Sequence, residues 1–160
     1  MSRKKLTLWT VCLLSLFCFS TRNLRAQSVT IQKVIITADN AYVFGWGDEF
    51  VLSYLNGNIH NKTAAEIFSS GVPGPETYTN IQLNVPDYLY IAAWSDDKTT
   101  QGVLAQFTSN NNTVYTGVGD WRVFSTGIDK DDGSNPLTKA DINAQIALAN
   151  STIGAWKDKA

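Results

Sequence analysis

Eight short runs of apolar and β-branched residues alternate with turn residues from position 29 onward, and this spacing limits the folds open to the chain. Pairs such as Asp39-Asn40 and Pro86-Asp87 separate neighbouring runs. Short strands at such intervals favour antiparallel pairing over a β-α-β order. The sequence therefore predicts a mainly β fold, an antiparallel, jelly-roll-like β-sandwich. Its expected strands are 29–37, 41–46, 50–55, 78–85, 88–94, 102–107, 113–116 and 121–124, with a turn at 56–58.

The C-terminal part of the chain changes to a helical period. Apolar residues recur at spacings of four, three, four and three, at Ile142, Ile146, Ala149, Ile153 and Trp156. Thr138 with Asp141 supplies a helix cap. We expect one C-terminal helix over about 139–150 that covers an open end or a face of the sandwich. The alternative is a stripe that docks a partner. An early end near Asn150 would leave Trp156 in an irregular tail.

The first 26 residues are typical of a secretory signal peptide. Arg3, Lys4 and Lys5 precede an apolar run over 6–19, and Ala26 supplies a small residue for cleavage. The apolar run is shorter than the roughly 20 residues of a membrane-spanning helix. We expect a secreted, extracellular chain with a single domain over 27–160.

Charge and cysteine content exclude several classes of function for that domain. Cys12 and Cys18 both lie within the first 26 residues, so the remainder has no disulfide and no thiol nucleophile. The same segment holds five of the 13 basic residues and none of the 14 acidic ones, which leaves a formal charge of about −6 (8 minus 14). An acidic surface argues against nucleic acid and anionic membranes as partners.

One pattern occurs twice: Tyr, two residues, a small residue, Trp, a small residue, Asp. The copies are 42–48 and 90–96. Both faces of each strand are apolar, so one interpretation is a pair of central core strands. The other is a sugar-binding surface, in which Trp46 and Trp94 stack on a pyranose and nearby carboxylates bond its hydroxyls. The carboxylates for that hypothesis are Asp48, Asp96 and Asp97.

Two segments resemble a known type of domain. TADNAYVFGWGD, 37–48, resembles the strand-and-turn opening of galactose-binding-like sandwiches and of the protective-antigen-type lectin module. YLYIAAWSDDKTTQGVLAQF, 88–107, is similar to a later strand pair of galactose-binding-like domains. The resemblance implies a β-sandwich that binds carbohydrate. In the lectin module two aspartates of a calcium site orient the sugar, and this chain has Asp39-Asn40 at that point.

A second acidic cluster, Asp129, Asp131 and Asp132, precedes the predicted helix. Oxygen ligands in a glycine turn suit calcium, although the spacing excludes an EF-hand. The alternative is a solvated turn whose charges favour the helix N-terminus. Calcium is thus a candidate ion, and no cofactor is required.

Catalysis has little support in the sequence. The one histidine, His60, is expected in a solvated loop. A glycosidase would need two carboxylates in a cleft, and Asp48, Glu49, Asp96 and Asp97 are the candidates. We expect a non-enzymatic module that binds a glycan or another extracellular surface component. The alternative is a structural or assembly protein that self-associates, and exposure of the tryptophans would separate the two.

Overall fold

The structure is a computed structural model that describes residues 27–71, 74–95, 102–110, 112–128, 130 and 135–158, without the Asn58 side chain. It is mainly β, with antiparallel sheets and two helices. The strands are β1 (Ser28–Asp39), β2 (Ala41–Gly47), β3 (Leu52–His60), β4 (Glu76–Asn84), β5 (Tyr88–Trp94), β6 (Gly102–Ser109), β7 (Asn112–Tyr115), β8 (Arg122–Val123) and β9 (Lys157–Asp158). The helices are α1 (Ala64–Phe68) and α2 (Lys139–Ser151).

Two larger sheets and a short strand pair organise these elements. The first sheet has the order β4-β1-β6-β7, the second has the order β3-β2-β5, and β8 pairs with β9. All eight strands predicted from the sequence are present, whereas β9 was not anticipated. β2 is central, as expected. β5 is an edge strand within the described part of the chain, so the expectation of a second central strand is wrong.

One apolar core joins the two larger sheets. β1 contributes Val34 and Ile36, β2 contributes Tyr42 and Phe44, and residues of β4 and β6 complete the cluster. Every second residue of a strand points to the same face, so the alternation in β1 and β2 aims these side chains at each other. The facing surfaces of the two sheets are therefore held together by burial of apolar side chains.

α2 covers the other face of the β3-β2-β5 sheet. Ile142 and Ile146 pack against Val43 and Leu52 in a second apolar cluster. Thr138 caps the helix in a capping box with Asp141, which confirms the predicted start. The burial of the helix's apolar residues confirms that this stripe covers a sheet face.

Polar contacts fix α2 on the edge of β3. The Asn143 side chain accepts the backbone N–H of Leu52 at 2.7 Å and donates to its carbonyl oxygen at 3.4 Å. Lys139 donates to the Ser53 carbonyl at 3.2 Å, and Asn150 donates to the Glu49 carbonyl at 2.6 Å. Side chains of the helix thus satisfy backbone groups at one end of this edge strand.

The chain beyond α2 follows the alternative of an early helix end. α2 ends at Ser151, and Ile153 lies past it, fully exposed. Trp156 packs on Phe124, with ring centroids 5.8 Å apart, and donates to the Asn150 side chain at 2.7 Å. Ile153 is therefore not part of the helical face that its spacing predicted.

The predicted turn at 56–58 is wrong, because β3 continues through it. Phe44 pairs with Asn56 and Tyr42 pairs with Ile59, so two residues of β3 stand opposite one residue of β2. Gly57 has a φ of 71°, which glycine adopts without steric cost. The Asn-Gly pair therefore forms a β-bulge within the strand and does not end it. His60 closes β3, half-buried, and is not a solvated loop histidine.

A buried hydroxyl network links β2 to β4. The Tyr42 hydroxyl lies 3.0 Å from a carboxylate oxygen of Glu76, to which it donates, and 2.9 Å from the Tyr78 hydroxyl. Burial, followed by the neighbouring Tyr78 and Glu76, raises the pKa of Tyr42 well above its usual range. Burial also raises the pKa of Tyr78. The network requires a neutral Tyr42 to remain intact.

α1 lies against β1 on the outer side of the first sheet. It begins at a second capping box, in which Thr63 and Glu66 bond each other's backbone N–H groups. The buried Thr37 hydroxyl donates to the Ile67 carbonyl at 3.0 Å. Neither helix among the described residues has the length and apolar content needed to cross a membrane.

Candidate functional site

The two tryptophans of the repeated motif lie far from each other along the sheet. β2 and β5 pair antiparallel, so Trp46 stands opposite Leu89 while Trp94 stands opposite Ala41 at the other end. They also belong to opposite faces. Trp46 packs against the core between the sheets, and Trp94 packs against the cluster under α2. The structure therefore does not join the two rings in one surface.

Asp48 has a local structural role. Its side-chain oxygen accepts the backbone N–H groups of Phe50 and Val51, both at 2.8 Å, which shapes the turn from β2 to β3. Its carbonyl oxygen accepts the Tyr90 hydroxyl at 2.6 Å. Burial, followed by the Asp48 charge, raises the pKa of Tyr90 to about 12. One oxygen of the Asp48 carboxylate, Oδ1, is thus engaged in its own turn.

The remaining predicted site residues lie outside the described residues: Asp96, Asp97, Asp129, Asp131 and Asp132. Lys130, within the acidic cluster, is described. Its ammonium group lies 5.2 Å from the centre of the Trp94 ring and donates to the Asn135 carbonyl. Among the described residues, no three His, Cys, Asp or Glu side chains come together as a metal-binding group.

An open cleft of about 360 Å³ lies beside Trp46, where the edge strands β3 and β4 approach each other. The six described residues that line it come from three strands: Trp46 of β2, Tyr54 of β3, and Asn80, Ile81, Gln82 and Asn84 of β4. The lining thus includes two aromatic residues, the buried Ile81 and three residues of β4 that carry amides. None of these side chains is a carboxylate or an ammonium group.

Three aromatic rings lead from the core to this cleft. Phe44 is fully buried, and its ring centre lies 5.8 Å from that of Trp46. The Trp46 ring stacks on Tyr54, with centroids 5.3 Å apart and planes 22° apart. Tyr54 is 56% exposed. Trp46 therefore supports Tyr54 from behind, and Tyr54 presents the accessible ring face.

The Tyr54 position follows from the register of the β2–β3 hairpin. Trp46 pairs directly with Tyr54, and the register shifts at the next pair, Gly47 with Leu52. Side chains that are directly opposite on antiparallel strands are close enough for aromatic contact. A Cβ at Gly45 would collide with the Tyr54 carbonyl oxygen and come within 2.9 Å of Leu52. The small residue before Trp46 thus allows β3 to approach.

β4 supplies the residues that line the cleft opposite Trp46 and Tyr54. Asn80 has a φ of 57°, and the β1–β4 ladder is bridged on either side of it, at Ile81 and Thr79, but not at Asn80. Asparagine tolerates this left-handed conformation better than most residues. The side-chain oxygen of Gln82 accepts the Thr30 hydroxyl at 3.0 Å. Asn84 is held at its backbone N–H by the Asp87 carboxylate at 2.7 Å.

Sequence reasoning identified Trp46 but missed Tyr54 and the three amides. The polar alternation of Thr77, Thr79, Gln82 and Asn84 marks β4 as a strand with one polar face. The register shift between Trp46 and Gly47, which sets the Trp46–Tyr54 pairing, has no such signal. Comparison with protein-family models, with curated proteins and with solved structures finds no match to this chain.

Proposed function

We propose that this chain is a secreted, non-catalytic binding module that holds carbohydrate at the cell surface or in the extracellular matrix. The observation that carries the proposal is the open cleft that the exposed Tyr54 ring, backed by Trp46, lines together with residues of β4. Secretion rests on the basic and apolar pattern of the first 26 residues.

The chemistry of the cleft suits a sugar ring. An aromatic face covers the apolar face of a pyranose, and a polar edge near it leaves hydroxyls within reach of hydrogen-bonding groups. The volume of about 360 Å³ lies near the lower end of the roughly 300–1,000 Å³ of ligand sites. It suits a short glycan segment.

The jelly-roll-like sandwich of galactose-binding-like domains is the fold that accompanies this proposal. Its support is the apolar core shared by the two larger sheets.

Two other functions have less support. A structural or assembly protein would need an open strand edge. β5 meets that requirement, because it has a described neighbour on one side only. A glycosidase would need two carboxylates about 5 to 9.5 Å apart in its cleft. The described lining residues include none, and the Asp48 carboxylate already accepts two backbone N–H groups. Binding therefore ranks first.

The experiment that tests the proposal is a glycan array probed with the chain over 27–160. We expect at least one glycan to bind, and Tyr54→Ala to reduce that binding at least tenfold. The matched control is Tyr115→Ala, because Tyr115 is 51% exposed and lies on β7 at the opposite edge of the first sheet. Tyr115→Ala should bind as the parent does. An array without binding, or equal loss in both variants, would contradict the proposal.

A further inference from the structure

The polar groups that the cleft offers to a ligand come from the main chain of β4. We infer that the backbone N–H and carbonyl groups of Gln82, on the edge of β4 that faces away from β1, bind two adjacent hydroxyls of a pyranose whose apolar face lies on Tyr54. The ligand class is thus a pyranose with two neighbouring free hydroxyls. This inference rests on the proposed glycan-binding function and assigns the hydrogen bonds of the same site.

The side chains of β4 alternate between the core and the outer surface of the first sheet. Ile81 and Leu83 are buried in the core, so Gln82 and Asn84 direct their side chains to the opposite face. On that face the Gln82 side-chain oxygen accepts the Thr30 hydroxyl at 3.0 Å. Gln82 and Asn84 nevertheless line the cleft. They therefore line it with their backbone.

Hydrogen bonds at the end of the β1–β4 ladder show which backbone groups point into the cleft. Val85 donates its N–H to the Gln27 carbonyl at 2.8 Å, so its backbone faces β1. Successive residues of an antiparallel strand alternate between facing the neighbouring strand and facing away from it. The register is constant over this part of the ladder, so the N–H and carbonyl of Gln82 face away from β1. Asn84 has the same phase, and its N–H is bonded outside the ladder by the Asp87 carboxylate at 2.7 Å.

The regular part of this edge is short. At one end the Asp87 carboxylate already accepts the Asn84 N–H. At the other end Asn80, with a φ of 57°, interrupts the ladder. An added β-strand relies on a longer run of regularly spaced backbone groups. The N–H and carbonyl of Gln82 instead match one pair of hydroxyls, of which one accepts and the other donates. The edge therefore suits a sugar unit better than an extended peptide.

The second sheet supplies the apolar side of the site. Tyr54 is 56% exposed and stacks on Trp46, with ring centroids 5.3 Å apart. Such a ring covers the apolar face of a pyranose, and the equatorial hydroxyls of that sugar then point sideways, past the rim of the ring. β4 lines the same cleft, so the Gln82 backbone is the polar edge beside the aromatic surface.

The test removes the Gln82 N–H without removing the strand. Gln82→Pro lacks this donor, and edge strands accept proline where the N–H faces away from the ladder. The probes are cellohexaose, maltohexaose, laminarihexaose and the glycan that the array retains most tightly. For each probe that the parent binds, Gln82→Pro should raise Kd about three- to tenfold, the loss expected for one hydrogen bond. Gln82→Ala keeps the backbone and should leave Kd unchanged.

Thr113→Pro is the matched control for the introduced proline. Thr116 donates its N–H to the Ala105 carbonyl at 2.9 Å, so by the same alternation the Thr113 N–H faces away from β6. β7 lies at the opposite edge of the first sheet from β4. Thr113→Pro should therefore bind each probe as the parent does, and its melting temperature should change about as much as that of Gln82→Pro.

Amide hydrogen exchange tests the same contact without any substitution. The Gln82 N–H should exchange rapidly in the free protein, and saturation with a bound probe should slow it by about tenfold or more. The Leu83 N–H, which faces β1, should exchange slowly with and without the probe. This measurement decides the inference if Gln82→Pro does not fold.

The outcomes also separate the inference from the proposed function. Three results would overturn the inference and leave glycan binding standing: parental binding by Gln82→Pro, an equal loss in Gln82→Ala, or Gln82 exchange that a bound probe leaves unchanged. Dimers that Gln82→Pro abolishes would assign this edge to a strand of a second copy and would also overturn it. No binding of any probe, together with an array without binding, would overturn the proposed function itself.

Discussion

β2 and β5 carry the same residue pattern and pair with each other, yet the structure uses them differently. β2 lies between β3 and β5 and is buried along its length except at the half-buried Trp46. β5 has one described neighbour, and its residues are half-buried or exposed. The repeated pattern therefore specifies a strand that is apolar on both faces and ends near a turn. It does not specify what the terminal tryptophan does.

The neighbours of each tryptophan decide its role. Trp46 stacks on Tyr54 of β3, and the pair lines a cleft together with residues of β4. Trp94 meets the cluster under α2 and the ammonium group of Lys130. One copy of the pattern thus supports a cleft between two sheets, and the other supports the docking of a helix and the segment that precedes it.

The largest expected difference is between Trp46→Ala and Trp94→Ala. Trp46→Ala should destabilise the protein by about 3–5 kcal/mol, because it removes the ring between Phe44 and Tyr54 and leaves a cavity. Trp94→Ala should lower the free energy of unfolding less, by about 1.5–3 kcal/mol, because Trp94 lies on the edge strand β5. Urea unfolding measures both. Glycan retention should be lost only in Trp46→Ala, and the reverse result would assign the site to β5.

Trp46→Phe sharpens that comparison. The Trp46 indole N–H is buried and has no acceptor among the described residues. Phenylalanine keeps an aromatic ring in the stack and removes this donor, whose burial is costly. We expect a free energy of unfolding within about 1 kcal/mol of the parent, since lost area and relieved desolvation oppose each other. A loss as large as that of Trp46→Ala would contradict this explanation.

The second comparison concerns the small residue before each tryptophan, Gly45 in β2 and Ala93 in β5. Gly45→Ala would place a methyl group against the Tyr54 carbonyl, so β3 must move. We expect a loss at or above the upper end of the roughly 1–3 kcal/mol of overpacking, with loss of glycan retention. Ala93 is the matching position in β5 and is exposed. Ala93→Gly should cost only about 0.5–1 kcal/mol through backbone entropy. Equal melting temperatures for the two variants would contradict the close approach of β3.

Much of this architecture could be predicted from local sequence, and the candidate site could not. The runs that form β1 to β8 and the helical period of α2 follow from residue spacing, because side-chain direction repeats every second or every 3.6 residues. The Trp46–Tyr54 contact depends on the register shift between Trp46 and Gly47, which no residue pattern announces. Farther along β3, Asn-Gly forms a bulge at Gly57, and because Asn-Gly also occurs in turns, the sequence predicted a turn there. The position of β5 at an edge depends on which strands pair at long range, which its own composition does not encode.

The third comparison concerns the tyrosine that opens each copy, Tyr42 in β2 and Tyr90 in β5. The pKa of tyrosine in an unfolded chain is about 10. Burial raises the folded pKa of Tyr90 to about 12 and that of Tyr42 further. Each residue therefore stabilises the fold below about pH 10, and this contribution is lost as the pH rises toward its folded pKa, because only the unfolded chain releases the proton. The free energy of unfolding should fall from pH 10 upward.

Phenylalanine variants show whether Tyr42 or Tyr90 causes this loss of stability at alkaline pH. Tyr90→Phe should flatten the decline between about pH 10 and 12, whereas Tyr42→Phe should flatten it over a wider range. At pH 7 each variant should cost about 0.5–1.5 kcal/mol for the lost hydrogen bond. Urea midpoints measured from pH 7 to 11.5 provide both values. Unchanged decline in both variants would show that other groups control alkaline unfolding.

The smallest expected effect is at the end of β5, where Lys130 lies over Trp94. Its ammonium group also donates to the Asn135 carbonyl, and in the sequence Lys130 stands between Asp129 and Asp131 of the acidic cluster. Lys130→Gln should lower stability by about 0.5–1 kcal/mol, the range of a cation–π contact at an exposed site. Calcium bound only by the folded state would raise stability by mass action, so a chelator would lower the melting temperature. Because a lysine interrupts this run of aspartates in the sequence, we expect a chelator to change the melting temperature of the parent little. A loss of several degrees that added calcium reverses would instead establish these aspartates as a calcium site, and Trp94 would then mark the end of a metal-dependent loop.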